Sequence, residues 1–389
     1  MEHEKAFVPT KLTLLTILLA STLILMGGAA VAPALPQIQA AYPSLDPMMI
    51  DLVVTLPSLA IAASGIAIGF IADRKGKVKV LIPSLLLFAV SGLAGFFVED
   101  FWILLVARFL VGISIAGISS CCTALLTEYY HGDRLVKTLG YQTAAMGFGV
   151  LILEVGGGSL AEMGWHQPFL IYSIGFLIFL MALVSVREPT HEEWHGADSG
   201  RFNKQAVIAC YVVVFITMMA MFSIPTKLAA FVAENTDATS TMTGLILGLN
   251  GILNSFMCLS YHAISKRIDR KYLVAVAFLL MSAGLLMFHF AYDVPTILLC
   301  TCLMGMGVGL GSTTVVNTLS SNVSPTRSGM IMGGYATFLN LGQFSATFVV
   351  AALISLTGGL RGMYVSMGMI TLAAALVFFV IMPRVDRDR

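Results

Sequence analysis

The chain places a glutamate, Glu154, in the middle of an apolar run, GVLILEVGGGSL at 149–160, and an arginine, Arg108, inside another run at 101–127. A charged side chain deep in an apolar medium costs about 2.5–3.5 kcal/mol on insertion scales. Neutralising an ordinary glutamate at pH 7 costs about 3.7 kcal/mol. The two costs are close, so a neighbouring cation decides whether a carboxylate in such a place keeps its charge. On a helix, Gly140, Thr143 and Gly147 share the face of Glu154 and Gly158 follows one turn on, which aims the carboxylate across a seam of small residues at another helix. Counted from matching ends of their segments, Arg108 and Glu154 sit at a similar depth, roughly 9–11 Å. Two readings stay open: a permanent pair that staples two helices, or a pair whose separation changes proton affinity. Asp51, near the start of its own apolar run, is a weaker titratable candidate.

A second constellation, HEEWH at 191–195, has the HExxH spacing in which two histidines one turn apart bind zinc and the glutamate acts as base. It sits in a polar stretch between Pro189 and Gly196 without an obvious third ligand, so a chance match is the better reading of it. A membrane metallopeptidase built on this run is the least favoured function, and no enzymatic activity, metal or cofactor is expected. His289 reads as a structural histidine. The GxGxG run at 307–311 lies inside an apolar segment and follows no strand, which leaves nucleotide binding unsupported.

These residues have to be positioned by apolar helices. Of the 389 residues, 58% are hydrophobic and 11% charged, against about 45–50% and 25% in soluble domains. Apolar runs long enough to cross a hydrocarbon layer recur along the whole chain. The expected spans are 12–39, 48–71, 80–98, 101–127, 136–160, 167–186, 205–232, 242–264, 272–292, 295–319, 330–356 and 361–382. This predicts an all-α, multi-pass protein of the cell membrane with twelve transmembrane helices. With the amino terminus cytoplasmic, 19 of the 22 Lys and Arg fall on the inner side, Lys227 and Arg361 on the outer side and Arg108 within a span. That asymmetry predicts both termini inside. A net charge of +1 spread over orientation signals excludes a nucleic-acid partner. The six cysteines all lie in spans, where small buried residues describe them better than disulfides.

The longest polar segment divides six spans from six. The predicted organisation is a six-helix bundle over 1–190, a cytoplasmic linker at 191–204 and a second, pseudo-symmetric six-helix bundle over 205–389. The loop after span two, GFIADRKGKVKVL, and the loop after span eight, AISKRIDRKYLVA, repeat one pattern of charge at the same point of each half.

The first of these loops, with Gly69, Asp73, Arg74, Gly76, Lys77 and Lys79, resembles the signature loop of the major facilitator superfamily. RFLVGISIAG at 108–117 is similar to the second motif of its proton-driven members, and the glycine run ending at Gly157 and Gly158 to the antiporter motif of its drug exporters. PALPQI at 33–38 is similar to the end of helix one in the twelve-span drug:proton antiporter branch. In place of that antiporter motif's Gly-Pro pair stands Leu153-Glu154. The resemblance implies a transporter that rocks between inward-open and outward-open states, with protons and a small molecule as partners and one chain sufficient for a pathway. It implies a cytoplasmic latch in which Asp73 meets the start of span eleven and Arg74, Lys77 and Lys79 pair with nearby acids, Glu128 among them. In such a machine Arg108 and Glu154 are the candidates for proton coupling.

The superfamily's cargo binds between the bundles near mid-membrane. Candidate cavity residues are Met218 and Phe222 on span seven, Asn250, Asn254 and Tyr261 on span eight, and Asn340, Gln343 and Phe344 on span eleven. Helix-to-helix bonding is the competing use of the amides. With 22 Met and 24 Phe, the cavity is expected to be soft and apolar, suited to export of lipophilic or drug-like molecules. A porter of an endogenous metabolite or sugar is the alternative with the same fold.

Overall fold

The computed structural model describes residues 9–189, 203–322 and 325–385. Among the described residues, twelve helical segments are long and apolar enough to cross a membrane, and they fall within a few residues of the expected spans. Among the described residues there is no strand. The first bundle comprises α1 (Lys11–Leu23), α2 (Leu35–Ala41), α3 (Pro47–Lys75), α4 (Lys77–Phe97), α5 (Phe101–Tyr129), α6 (Gly132–Ala161) and α7 (Ile174–Ser185). The second comprises α8 (Lys204–Asn235), α9 (Ser240–Ser265), α10 (Arg270–Met287), α11 (Val294–Asn322), α12 (Pro325–Thr357) and α13 (Leu360–Val385).

Polar side chains start the helices where the sequence turns. Asp46 accepts from the Met48 N–H with Pro47 at the first helical position, and Asp100 accepts from Trp102 and Ile103. Asn203 and Thr239 do the same for α8 and α9. Each satisfies amide donors that a helix start leaves unpaired. Asp46, Asp100, Glu162 and Asp237 gather at one end of the bundles, the acidic face. Arg74, Lys75, Lys79, Lys266 and Arg267 gather at the other, the basic face.

The first span departs from the expected single helix. After α1 the chain passes through a 3-10 turn at 24–27, an irregular stretch and a second 3-10 turn at 32–34 before α2. Gly27 and Gly28 weaken the helix, and Pro33 and Pro36 remove two amide donors. The break frees carbonyls at mid-membrane depth, where no water is at hand to satisfy them. The Tyr172 hydroxyl donates to the Met26 carbonyl at 2.7 Å. The second bundle repeats this contact without a break: the Tyr364 hydroxyl donates to the Ser223 carbonyl of continuous α8 at 3.3 Å.

Glycine lets the helices of the first bundle approach. A Cβ at Gly92 or Gly95 of α4 would enter the rings of Tyr172 and Phe169, and one at Gly112 of α5 would enter the backbone of Pro57 in α3. In the second bundle Phe231, Phe288 and Tyr364 form a buried aromatic cluster with centroids 4.1–5.4 Å apart. The cysteines are unbridged, with Cys121, Cys122, Cys210 and Cys300 buried.

Candidate functional site

Arg108 is among the most deeply buried large side chains, 1% exposed. Its Nε donates to the Val53 carbonyl at 2.7 Å, one terminal nitrogen donates to the Tyr172 hydroxyl at 2.8 Å, and the other to the Gly27 carbonyl. Each acceptor has a local cause. Pro57 lacks the amide that would bond Val53 one turn back, and Gly27 lies in the broken first span. The guanidinium fork therefore joins α5 to α3, to the break and, through Tyr172, to the sixth span, which suits a planar five-donor group and not a point charge. The permanent Arg108–Glu154 staple is absent from this structure, because backbone acceptors occupy the arginine.

Glu154 lies on the face of α6 that meets α9 of the other bundle. Along this seam glycines replace side chains. A Cβ at Gly244 would strike the Glu154 carbonyl, one at Gly248 would strike Leu151, one at Gly158 the Ser240 carbonyl and one at Gly147 the Ser255 side chain. The small-residue seam expected from helical spacing is thus present, with α9 as the partner helix. The Glu154 side chain is 6% exposed, and its Oε2 is buried with no hydrogen-bond partner among the described residues.

A second seam joins α3 to α12 and α8. Lys227 Nζ lies 2.8 Å from Asp51 Oδ1 and 2.7 Å from Oδ2, although Oδ2 is outside hydrogen-bond geometry. Below this pair the Thr55 and Thr347 hydroxyls bond at 2.5 Å, and Ser58 donates to Gln343 Oε1 at 2.7 Å. Sequence reasoning weighed Asp51 weakly and missed Lys227 by assigning it to the outer side. The usable signal was that Lys227 falls inside expected span seven as its one cation, near the end that faces Asp51.

At the acidic face itself Gln37 donates to Ser240 at 2.6 Å, and the Thr241 N–H donates to Glu162 at 3.1 Å. Hydrogen bonds from the Thr241 side chain and backbone hold the Glu162 carboxyl below the usual glutamate range. These inter-bundle bonds all lie between the acidic face and mid-helix. Toward the basic face, a Cβ at Gly65 of α3, Gly140 of α6 or Gly333 of α12 would meet nothing within 4 Å. The bundles close over the acidic half and part toward the basic face.

The signature loop sits at the open end. The Asp73 side chain is 76% exposed and lies 3.9 Å from Lys77. Arg74 covers the ring of Phe70, and Lys79 is exposed. Lys77, by contrast, is buried and forms an ion pair with Glu128 at the end of α5. Gly69 is open, its nearest neighbour being Ser120 Oγ at 4.0 Å. Gly76 adopts φ +109°, and a Cβ there would enter the Glu188 carboxylate. That carboxylate accepts from the Lys77 and Val78 amides at 2.6 and 3.0 Å, capping α4 from the end of the first bundle. The role of Glu188 was not foreseen from the sequence, since a cap from over a hundred residues away leaves no local pattern.

The cavity candidates divide. Met218, Gln343 and Ser58 meet where α8, α12 and α3 converge, with Gln343 Nε2 3.8 Å from the Met218 sulfur. Phe222 is half-buried, and Phe344 packs edge-on against Phe348. Asn250 donates to the Thr301 carbonyl of α11 at 2.6 Å, and Gly309 of α11 packs on Asn254, so these two serve contact within the second bundle. Tyr261 is buried with Leu273, Ala277 and Leu310. Asn340 donates to the Ala336 carbonyl of its own helix. The HExxH run at 191–195 lies outside the described residues.

The sequence profile of the Major Facilitator Superfamily matches residues 17–226 and 210–389, and the chain belongs to that superfamily of membrane transporters. It is 22% identical over 293 residues to the quinolone resistance protein NorA of Staphylococcus aureus (strain COL), covering 73% of this chain and 75% of that protein. It is 22% identical over 346 residues to the class H tetracycline resistance protein of Pasteurella multocida, covering 85% and 86%. Among solved structures, a POT family transporter in complex with 5-aminolevulinic acid superimposes with TM-score 0.81 at 13% identity, covering 97% of this chain and 99% of that one. A bacterial homologue of the human lysosomal transporter Spinster, in an inward-facing and occupied conformation, gives TM-score 0.74 at 16% identity, covering 96% and 95%.

Proposed function

We propose that this protein is a proton-coupled exporter of small lipophilic or drug-like molecules. It works by alternating access, rocking residues 1–190 against 205–389 around the linker at 191–204. The excess of Lys and Arg on the basic face makes that face cytoplasmic, with both termini inside. The arrangement described above is then the inward-open one. The similarity to two drug-resistance proteins and the Met-rich, Phe-rich spans support lipophilic cargo.

The observation that carries the coupling is Glu154, a buried carboxylate at an inter-bundle seam with one oxygen unpartnered. A carboxylate without a fixed cation gains or loses a proton as the seam opens to water and closes. Arg108 contributes by position: it holds the first span, α3 and Tyr172 together around the moving seam. Gly69, Asp73, Arg74 and Lys79, exposed or open here, form the latch that closes the cytoplasmic side in the other state, and Gly76, Lys77 and Glu128 keep its loop in shape.

The test is proton movement in proteoliposomes holding the purified protein and a pH-sensitive dye, on adding lipophilic cations, neutral drugs and sugars. Lipophilic compounds should trigger flux in the wild type. Glu154→Gln should bind the same compounds and move no protons. Normal coupled transport by that variant would remove Glu154 from the mechanism, and flux triggered by sugars alone would overturn the cargo class.

A further inference from the structure

Asp51 and Lys227 form a buried ion pair between helices of different bundles, apart from Arg108 and Glu154. Asp51 sits one turn into α3 and is 2% exposed; Lys227 sits two turns before the end of α8 and is 7% exposed. Resting on the alternating-access reading, we propose that this pair is the charge lock of the acidic face, and that it makes the state open to the basic face the resting state of the empty protein.

Three observations converge on this. The first is placement: Asp51, Thr55 and Ser58 follow i, i+4, i+7 spacing, one stripe of α3 turned to the second bundle, and each is bonded across the interface. The charged pair is the step nearest the acidic face, so opening on that side must break it. The second is environment. In a low-dielectric seam an ion pair separates at a cost that an exposed pair does not bear. The other ionisable groups close to Asp51 are Asp46, at the start of α3, and the Tyr364 hydroxyl of α13. Neither is a cation that could replace Lys227.

The third is asymmetry between the two ends. At the basic face Asp73 is largely in water, and both it and Glu128 face Lys77 of their own bundle. The acidic end thus has a buried charge pair across the bundles, while the described ion pairs of the signature loop stay within one bundle. Closure of the acidic face is favoured before any cargo or proton binds.

The test is a pair of distance distributions from spin labels introduced as bio-orthogonal side chains, which leaves the native cysteines in place. Labels at 99 and 237 report the acidic face, and labels at 79 and 266 the basic face. In the wild type the short acidic-face distance should dominate. Asp51→Asn, and the neutral pair Asp51→Asn with Lys227→Met, should raise the long-distance population by about tenfold, with the basic-face distance shortening in step. The charge swap Asp51→Lys with Lys227→Asp should restore the wild-type distribution. If a folded neutral variant keeps wild-type distances at both faces, or if the swap behaves like the neutral pair, the lock is refuted. The readout needs neither cargo nor proton flux. A shift in the variants of a protein that moves no substrate would uphold the lock while overturning the transport reading.

Discussion

Two seams join the bundles, and they are built on opposite principles. The seam of α3 with α12 and α8 is polar and mutually bonded: Asp51 with Lys227, Thr55 with Thr347, Ser58 with Gln343. The seam of α6 with α9 is made of glycine packed against the facing helix, at Gly147, Gly158, Gly244 and Gly248, and its buried carboxylate, Glu154, has an oxygen left over. A bonded charge pair spanning the seam resists separation. A lone carboxylate contributes little to holding the seam, and its state depends on whether water reaches it. On the proposed reading, the difference divides labour between closure on one seam and proton exchange on the other.

The largest effect should come from removing what ties α3, the helix of the polar seam, to the rest of its bundle. Arg108→Ala orphans the buried Val53 and Gly27 carbonyls, each costing about 1–3 kcal/mol, and leaves the Tyr172 hydroxyl with its bond to Met26 alone. We expect a severe loss of thermal stability for the detergent-purified protein, and Arg108→Lys should not recover it, since an ammonium lacks the fork that reaches all three acceptors. A melting temperature unchanged in Arg108→Ala would mean that the arginine is not structural and would return it to the coupling role.

Next in size, Gly244→Leu should wedge the glycine seam, because its Cβ lands on the Glu154 carbonyl. Overpacking of this kind costs about 1–3 kcal/mol. The acidic-face labels should then report a long distance even with Asp51 and Lys227 intact, and a short one would show that α6 and α9 have room to spare.

A smaller effect is expected on the polar seam from Thr55→Val, which removes the one hydrogen bond Thr55 makes across the seam and keeps the shape. Such bonds average about 0.6 kcal/mol, so the open fraction should rise about threefold. A rise as large as that of Asp51→Asn would mean that the whole stripe, and not its charge, closes the face.

Smallest is Glu162→Gln at the solvent edge of the glycine seam. Glu162 is held below its ordinary range in the closed state by Thr241, so its contribution is present above that range and is lost as pH falls through the depressed value. At neutral pH the variant should change the acidic-face distribution by less than about twofold. In acid the wild type should come to match it; a difference that grows as pH falls would contradict the assigned hydrogen bonds.

The spans were legible because hydrophobicity is a property of each residue summed over a window, and the bilayer asks only that the sum be high for long enough. The face of Glu154 was legible for a related reason, since helical periodicity places Gly147 and Gly158 beside it whatever the partner helix is. The break in the first span was signalled by Gly27, Gly28 and Pro33, yet the segment is apolar enough to be read through as one helix. Of the two readings of Arg108 and Glu154, the permanent staple is not seen, because similar depth on neighbouring segments is no more than a condition for meeting.

What the sequence determined alone is therefore the number and approximate limits of the spans, the segregation of charge to two faces, and the small-residue stripe on α6. What the tertiary structure decided is which groups meet. Arg108 turns to carbonyls released by Pro57 in another helix and by the break at Gly27. Asp51 finds Lys227 across 176 positions of chain. Pairing depends on the rotation and axial shift of one helix against another, where one residue of error turns a side chain by about 100°. Those offsets are set by packing between helices distant in the chain, as where Gly112 of α5 meets the Pro57 backbone of α3, which no window of neighbouring residues contains.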